Sequence, residues 1–159
     1  MPNAWELPAL VEIAQLLSSS SAGGRGHRVR LRGTVTFCRP GQDLFLHDAS
    51  GGLQVRANAP ELFLPGDEVD VAGFPAMVGY SPVLEDAVVR RLSTGPAPEP
   101  IRCTARQAAD GSRDAELICV EARLLERQLR REGTVLVLQA EDRIVEAPLA
   151  WTAEADPTE

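Results

Sequence analysis

Lysine is absent from this chain: all 16 basic residues are arginine, set against 23 acids for a net charge of −7. Nucleic-acid-binding domains usually carry a basic field. The balance therefore argues against nucleic acid as the partner, although a local arginine cluster can still act within an acidic protein. The acid is unevenly placed. Residues 1–98 hold 8 arginines and 10 acids, whereas residues 99–159 hold 8 and 13. Aromatics make up only 4% of the chain. No apolar run approaches the roughly 20 residues that cross a bilayer as a helix. No basic segment followed by a continuous apolar stretch opens the chain, so no secretory leader is visible. The expectation is a cytosolic protein or a piece of a longer one.

Cysteine is scarce as well. Cys38, Cys103 and Cys119 fit no zinc spacing, and His27 and His47 do not complete one. An odd count is not a disulfide framework. A Cys103–Cys119 bridge is arithmetically allowed, but three small half-buried thiols are the plainer reading. Neither a metal nor an organic cofactor is expected. Signals of catalysis are also missing. Gly23-Gly24-Arg25-Gly26 lacks the Lys-Ser/Thr and the preceding strand of a phosphate loop, and no nucleophile elbow or paired carboxylates are evident. Cys38 with His47 would be a nucleophile and base without a third, orienting group. The chain reads as a non-enzyme.

What is present is a change of period. The 159 residues, 44% of them apolar, are enough for one large domain or two small ones with a core. Residues 5–17 place Leu7, Leu10, Val11, Ala14 and Leu17 at helical spacing, predicting one amphipathic helix. A Ser/Gly linker follows to Gly26. From Arg28 the period becomes two, with Val29, Leu31, Val35 and Phe37 expected on one side and Arg30, Arg32, Thr34 and Thr36 on the other. Turn signals at 39–42, 48–52, 65–67 and 79–82 then divide the chain into strands at 44–47, 53–57, 68–73 and 83–92. Five such strands predict a mainly β fold, a five-stranded Greek-key barrel of the OB type.

A stiff Gly95–Pro100 segment marks a boundary. After it Thr104 caps a short helix, 105–109, and strands are expected at 116–125, 134–139 and 143–149. The stretch 121–132 also has i,i+4 charge pairs and suits a helix. The domain reading is thus an N-terminal helix and linker (1–26), an OB barrel (27–95), a Pro-rich linker (96–103), a partial second OB-like unit in tandem (104–150) and a tail (151–159). Three strands cannot close a barrel, so the second unit is expected to leave a β edge open. It would pack on the barrel, form a homodimer or recruit a protein partner through that edge.

The candidate site follows from alternation. If Leu44 and Leu46 face the core, then Phe45, His47, Gln54 and Arg56 lie on the outer face, the one OB barrels use for ligands. Arg30 and Arg32 would add charge, and Tyr80 would project from a loop. A plainer reading makes this a solvated face with Phe45 covered by the helix. Asp48, Gly51 and Gly52 are expected to build a turn, with Asp48 accepting amides of its own loop.

The segments Ile13-Ala14-Gln15-Leu16, Val29 to Thr36, Leu44 to Asp48 with Gly51-Gly52, and Pro65 to Val69 resemble the tandem OB regions in the extracytoplasmic sensor portion of bacterial histidine kinases and diguanylate cyclases. The resemblance spans about residues 7–94, with a weaker echo to Leu149. It implies a periplasmic, non-catalytic ligand-binding module of a signal-transduction or envelope protein. Its ligand would be an unidentified small molecule or a protein, and it would reach a membrane only through a parent protein not present in this chain. Phe45-Leu46-His47-Asp48 with Gln54-Val55 is also similar to the OB anticodon-binding domain of class II tRNA synthetases. That implies the alternative of a single-strand nucleic-acid binder, with Phe45 as stacking platform and Arg30, Arg32 and Arg56 on phosphates.

Overall fold

The computed structural model describes residues 10–19, 27–58 and 61–149. The expected helix turns at 5–9, most of the Ser/Gly linker, Pro60 and the tail lie outside them.

Five strands form a closed barrel: β1 (Val29–Arg39), β2 (Asp43–Asp48), β3 (Gly51–Arg56), β4 (Asp67–Val78) and β5 (Ser81–Thr94). Their order is β1-β2-β3-β5-β4, and β4 returns to pair with β1. All pairings are antiparallel except β3 with β5, the parallel step that closes the OB-type Greek key. β1 makes this possible by serving two neighbours. Residues 29–34 pair with β4 and residues 34–39 with β2. The strand bends where it changes partner, at Gly33, where a Cβ would stand 2.7 Å from Leu46 Cδ1 and 2.8 Å from the His47 carbonyl oxygen. Only glycine permits so close an approach.

The core is aliphatic. Leu31, Val35, Leu44, Leu46, Leu53 and Val55 turn inward, as alternation requires, and meet Val69, Val71 and Leu84 from β4 and β5. α1 (Ile13–Ser19) adds Ile13 and Leu16 to this core. The helix starts later than its apolar spacing suggests, and on a different face. Leu10 is still extended, bridged to Arg30, and the Val11 amide donates to the Arg30 carbonyl at 2.9 Å. The first helical amide, Ile13 N–H, is then capped by Asp48 Oδ2 at 2.8 Å, from 35 residues away. The helix thus belongs to the barrel end, not over Phe45.

β4 and β5 are longer than expected and continue past the barrel as a hairpin turning at Gly79-Tyr80. Pro75 fits there because the extension of β4 pairs on one side only.

Beyond the barrel, Gly95 N–H donates to the Gly66 carbonyl at 2.9 Å, so the Pro-rich segment starts anchored. Two smaller sheets follow. β6 (Ile101–Arg102) and β7 (Ile118–Cys119) form a parallel pair. α2 (Ala105–Ala109) lies between them in sequence, and Thr104 caps it in a capping box with Gln107. β8 (Arg123–Arg130), β9 (Gly133–Ala140) and β10 (Arg143–Pro148) form an antiparallel meander. The expected strand at 116–125 is therefore two pieces, broken at 120–122, and the stretch that also suits a helix is strand over Arg123–Arg130. β6 falls inside the expected linker. All three cysteines are free thiols.

Candidate functional site

The outer face of β1–β2–β3 is built from three cross-strand rows. Thr34, His47 and Gly52 form one, Phe37, Phe45 and Gln54 the second, and Arg39, Asp43 and Arg56 the third. Directly opposed residues point to the same side, so each row is a set of neighbours. Sequence alternation foresees Phe45, His47, Gln54 and Arg56 here but places Phe37 in the core. The cause is a β-bulge. The register shifts between Val35 and Phe37, so Thr36 is the extra residue and is itself buried. One inserted residue reverses the parity of everything after it. Phe37 therefore lies outside beside Phe45, ring centroids 6.1 Å apart at 47°. That is a favourable tilted pair. Cys38 passes to the core side, the face opposite His47, so those two do not meet as nucleophile and base.

The polar groups around the two rings are held in place. Asp43 accepts from Arg39 and from Gln54 Nε2 at 2.9 Å. Arg56 pairs with Glu85 at 3.2 Å. The face thus presents two partly buried rings between an amide, an imidazole and two tethered guanidinium groups.

Arg30 and Arg32 lie beyond the Thr34–His47 row, and Arg32 lines one cleft with Thr34, His47 and Asp48. Both arginines sit on the half of β1 that pairs with β4, and Arg32 is about 15 Å along the strand from Phe37. Arg30 grips the buried Asp70 through two bonds, Nε to Oδ1 at 2.8 Å and Nη2 to Oδ2 at 2.5 Å. Arg32 and Arg90 approach the same oxygen at 3.7 and 3.3 Å. The Arg30 bonds hold the Asp70 carboxyl below the usual carboxylate range, against burial, and the charges of Arg32 and Arg90 add to this. Asp67 is a second such carboxylate. The Leu64 amide lowers it, with help from Thr94 and Arg91, again against burial. Tyr80 is fully exposed in the β4–β5 turn, and it makes no ring contact with Phe45 among the described residues.

The turn itself is Ala49-Ser50, with Asp48 ending β2 and Gly51 and Gly52 opening β3. Asp48 Oδ1 accepts from the Ser50 amide at 2.7 Å and the Gly51 amide at 3.2 Å, while Oδ2 caps α1. Burial alone would raise Asp48, but its bonds from Ser50, Ile13 and Gly51 outweigh that and keep it low. Gly52 is where the rest of the chain lands on the barrel. A Cβ there would stand 2.4 Å from the Ala115 carbonyl oxygen and 2.8 Å from the Glu116 nitrogen. A cleft between the two parts is lined by His47, Asp48, Glu99, Arg113 and Glu116. The outer face therefore ends at its His47–Gly52 row, where residues 113–117 abut it.

Among the described residues, no His, Cys, Asp and Glu cluster suits a metal ion, and no helix is long and apolar enough to cross a membrane. Comparison with known protein families finds no family model that matches this chain, and comparison with curated proteins finds no relative.

Proposed function

We propose that this protein is a non-catalytic binding module whose ligand lies on the β1–β2–β3 face, across Phe37 and Phe45. The outward Phe37–Phe45 pair carries the reading. Two partly buried aromatic rings on the outside of a sheet, with tethered polar groups on either side, offer stacking area at little ordering cost. A flat, π-rich ligand with polar edges fits that surface. The resemblance to extracytoplasmic sensor regions makes the module one of ligand sensing in a bacterial signalling or envelope protein. A kinase or cyclase encoded beside or fused to this chain is what that role requires, and a gene neighbourhood without either would remove it.

Phe37 also favours a second reading, a single-stranded nucleic-acid binder. Each stacked base is worth about 1–3 kcal/mol, and this face has two platforms where alternation alone provides one. Arg39 and Arg56 stand at its edge for phosphate contacts. The net charge weighs against it. Fluorescence anisotropy with labelled oligo-dT at low salt separates the readings. On the nucleic-acid reading Phe37→Ala and Phe45→Ala each weaken binding about 5- to 150-fold, the factor that 1–3 kcal/mol implies. No binding near ~10 μM, a generous bound for nonspecific affinity, removes that reading and leaves the small-ligand one. Phe45→Ala with Arg56→Ala should keep the fold, since neither side chain is in the core. An unfolded double variant would show that the face is structural.

A further inference from the structure

The β8–β9–β10 meander carries an apolar face that the described residues cover only at its Ala140 end. Its rows are Leu124-Leu138-Val145, Arg127-Leu136-Ala147 and Leu129-Thr134-Leu149. Leu129 is 88% exposed, Leu124 50% and Leu149 48%. The opposite face has Val135 and Val137 along β9 and is charged on its outer strands, with Arg130 paired to Glu146 at 2.8 Å and bonded to Gln128, which in turn bonds Glu126. β8 and β10 each have one strand neighbour, so both outer edges hold unpaired N–H and C=O groups. In the barrel the equivalent three-stranded meander is sealed by β4 and β5, which with the loop before them take residues 57–94.

We infer that a second copy of this chain covers this face, edge to edge, making a six-stranded closed β unit across a twofold axis. A twofold perpendicular to the strands sets β8 antiparallel to β8 of the other copy, and β10 likewise. Both open edges are then paired, and the two apolar faces meet inside, as an isologous interface requires. Charge complementarity selects the register. With Gln128 opposite its own copy, Glu126 of each chain stands beside Arg130 of the other, on the outer face. This assembly does not depend on what the barrel binds.

Size-exclusion chromatography with light scattering on the full chain tests it. The expected mass at ~100 μM is twice the 17.1 kDa of one chain. Leu129→Gln should return it to one chain with an unchanged circular dichroism spectrum, because an 88% exposed leucine is not needed for the monomer fold. Glu126→Arg alone should raise the dimer Kd at least tenfold, and Glu126→Arg with Arg130→Glu should restore most of that loss. A monomer at ~100 μM overturns the inference, as does a dimer that Leu129→Gln leaves intact.

Discussion

The two antiparallel meanders of this chain, β1–β2–β3 and β8–β9–β10, have the same strand order, and each has a bulge in its first strand. They differ in what covers their apolar rows. In the first, Val35-Leu46-Leu53 and Cys38-Leu44-Val55 lie under β4 and β5, and Leu46 is 0% exposed. In the second, Leu124-Leu138-Val145 stays open. Alternation makes a face in both, but only closure makes a core. The largest test of this contrast is truncation. Leu46→Ala should cost about 2–5 kcal/mol, the range for a buried leucine whose cavity cannot collapse. Leu124→Ala should cost less than about 1 kcal/mol in dilute solution, as at other surface sites. Urea denaturation at sub-micromolar protein measures both. Equal costs would mean that the second meander has a sealed core after all.

Electrostatics separate the same regions. Asp70 and Asp67 are buried in the barrel and their carboxyls are held low, whereas Glu146, held low by Arg130, stands in the open meander. A carboxyl depressed on folding contributes stability that is fully present above its unfolded value, near 3.8 for aspartate. That stability is lost as pH falls through the folded value. The barrel should therefore weaken as pH drops below about 4, while the meander's exposed pair is screened and contributes little. Asp70→Asn leaves three guanidinium groups around a neutral amide. It should cost about 1–3 kcal/mol at neutral pH, the scale of a charged hydrogen bond, and flatten the acid dependence. Thermal melts of both proteins from pH 7 to pH 3 would show it. Parallel curves would mean that Asp70 is not the group responsible.

Much of the barrel was legible in the chain, and the exceptions have causes. The inward positions of Leu44, Leu46, Leu53 and Val55 follow from a strict period of two between clear turns, so the outward set Phe45, His47, Gln54 and Arg56 followed with them. Phe37 did not, because a bulge leaves no local mark when the inserted residue is a threonine with good strand propensity. Thr36 and Phe37 each suit either face. The start of α1 was hidden for a different reason. Its capping carboxylate, Asp48, comes from a turn 35 residues away, where no local pattern can announce it. That Arg30 is tied to Asp70 has no local mark either, since the partner lies across the β1–β4 pairing. The break at 120–122 was missed because Ile118 to Leu125 alternates well enough to pass for one strand.

The finest test concerns the seam between the two regions. Gly52 faces outward in β3, and the backbone of Ala115 and Glu116 rests where its Cβ would be. Valine suits an outward strand position, so Gly52→Val leaves the barrel little reason to unfold. The 2.4 Å contact with the Ala115 oxygen cannot be kept, because backbone on both sides leaves no flexible end to yield. The 113–117 segment is the cheaper part to move. It is held by a 3.2 Å turn bond, an ion pair between Arg113 and Glu116 and one 2.9 Å bond from Ile101 N–H to the Leu117 carbonyl, whereas β3 is paired on both sides. Barrel stability should change by less than about 0.5 kcal/mol, the scale of a surface site, because the valine meets solvent once the segment has moved off. Amides of 113–119 should exchange faster, since their protection depends on that seat. Hydrogen-exchange mass spectrometry resolves the two regions in one experiment. Faster exchange throughout β1–β5 would show that the barrel, not the loop, gives way. Unchanged exchange at 113–119 would show that the second region holds its place without Gly52.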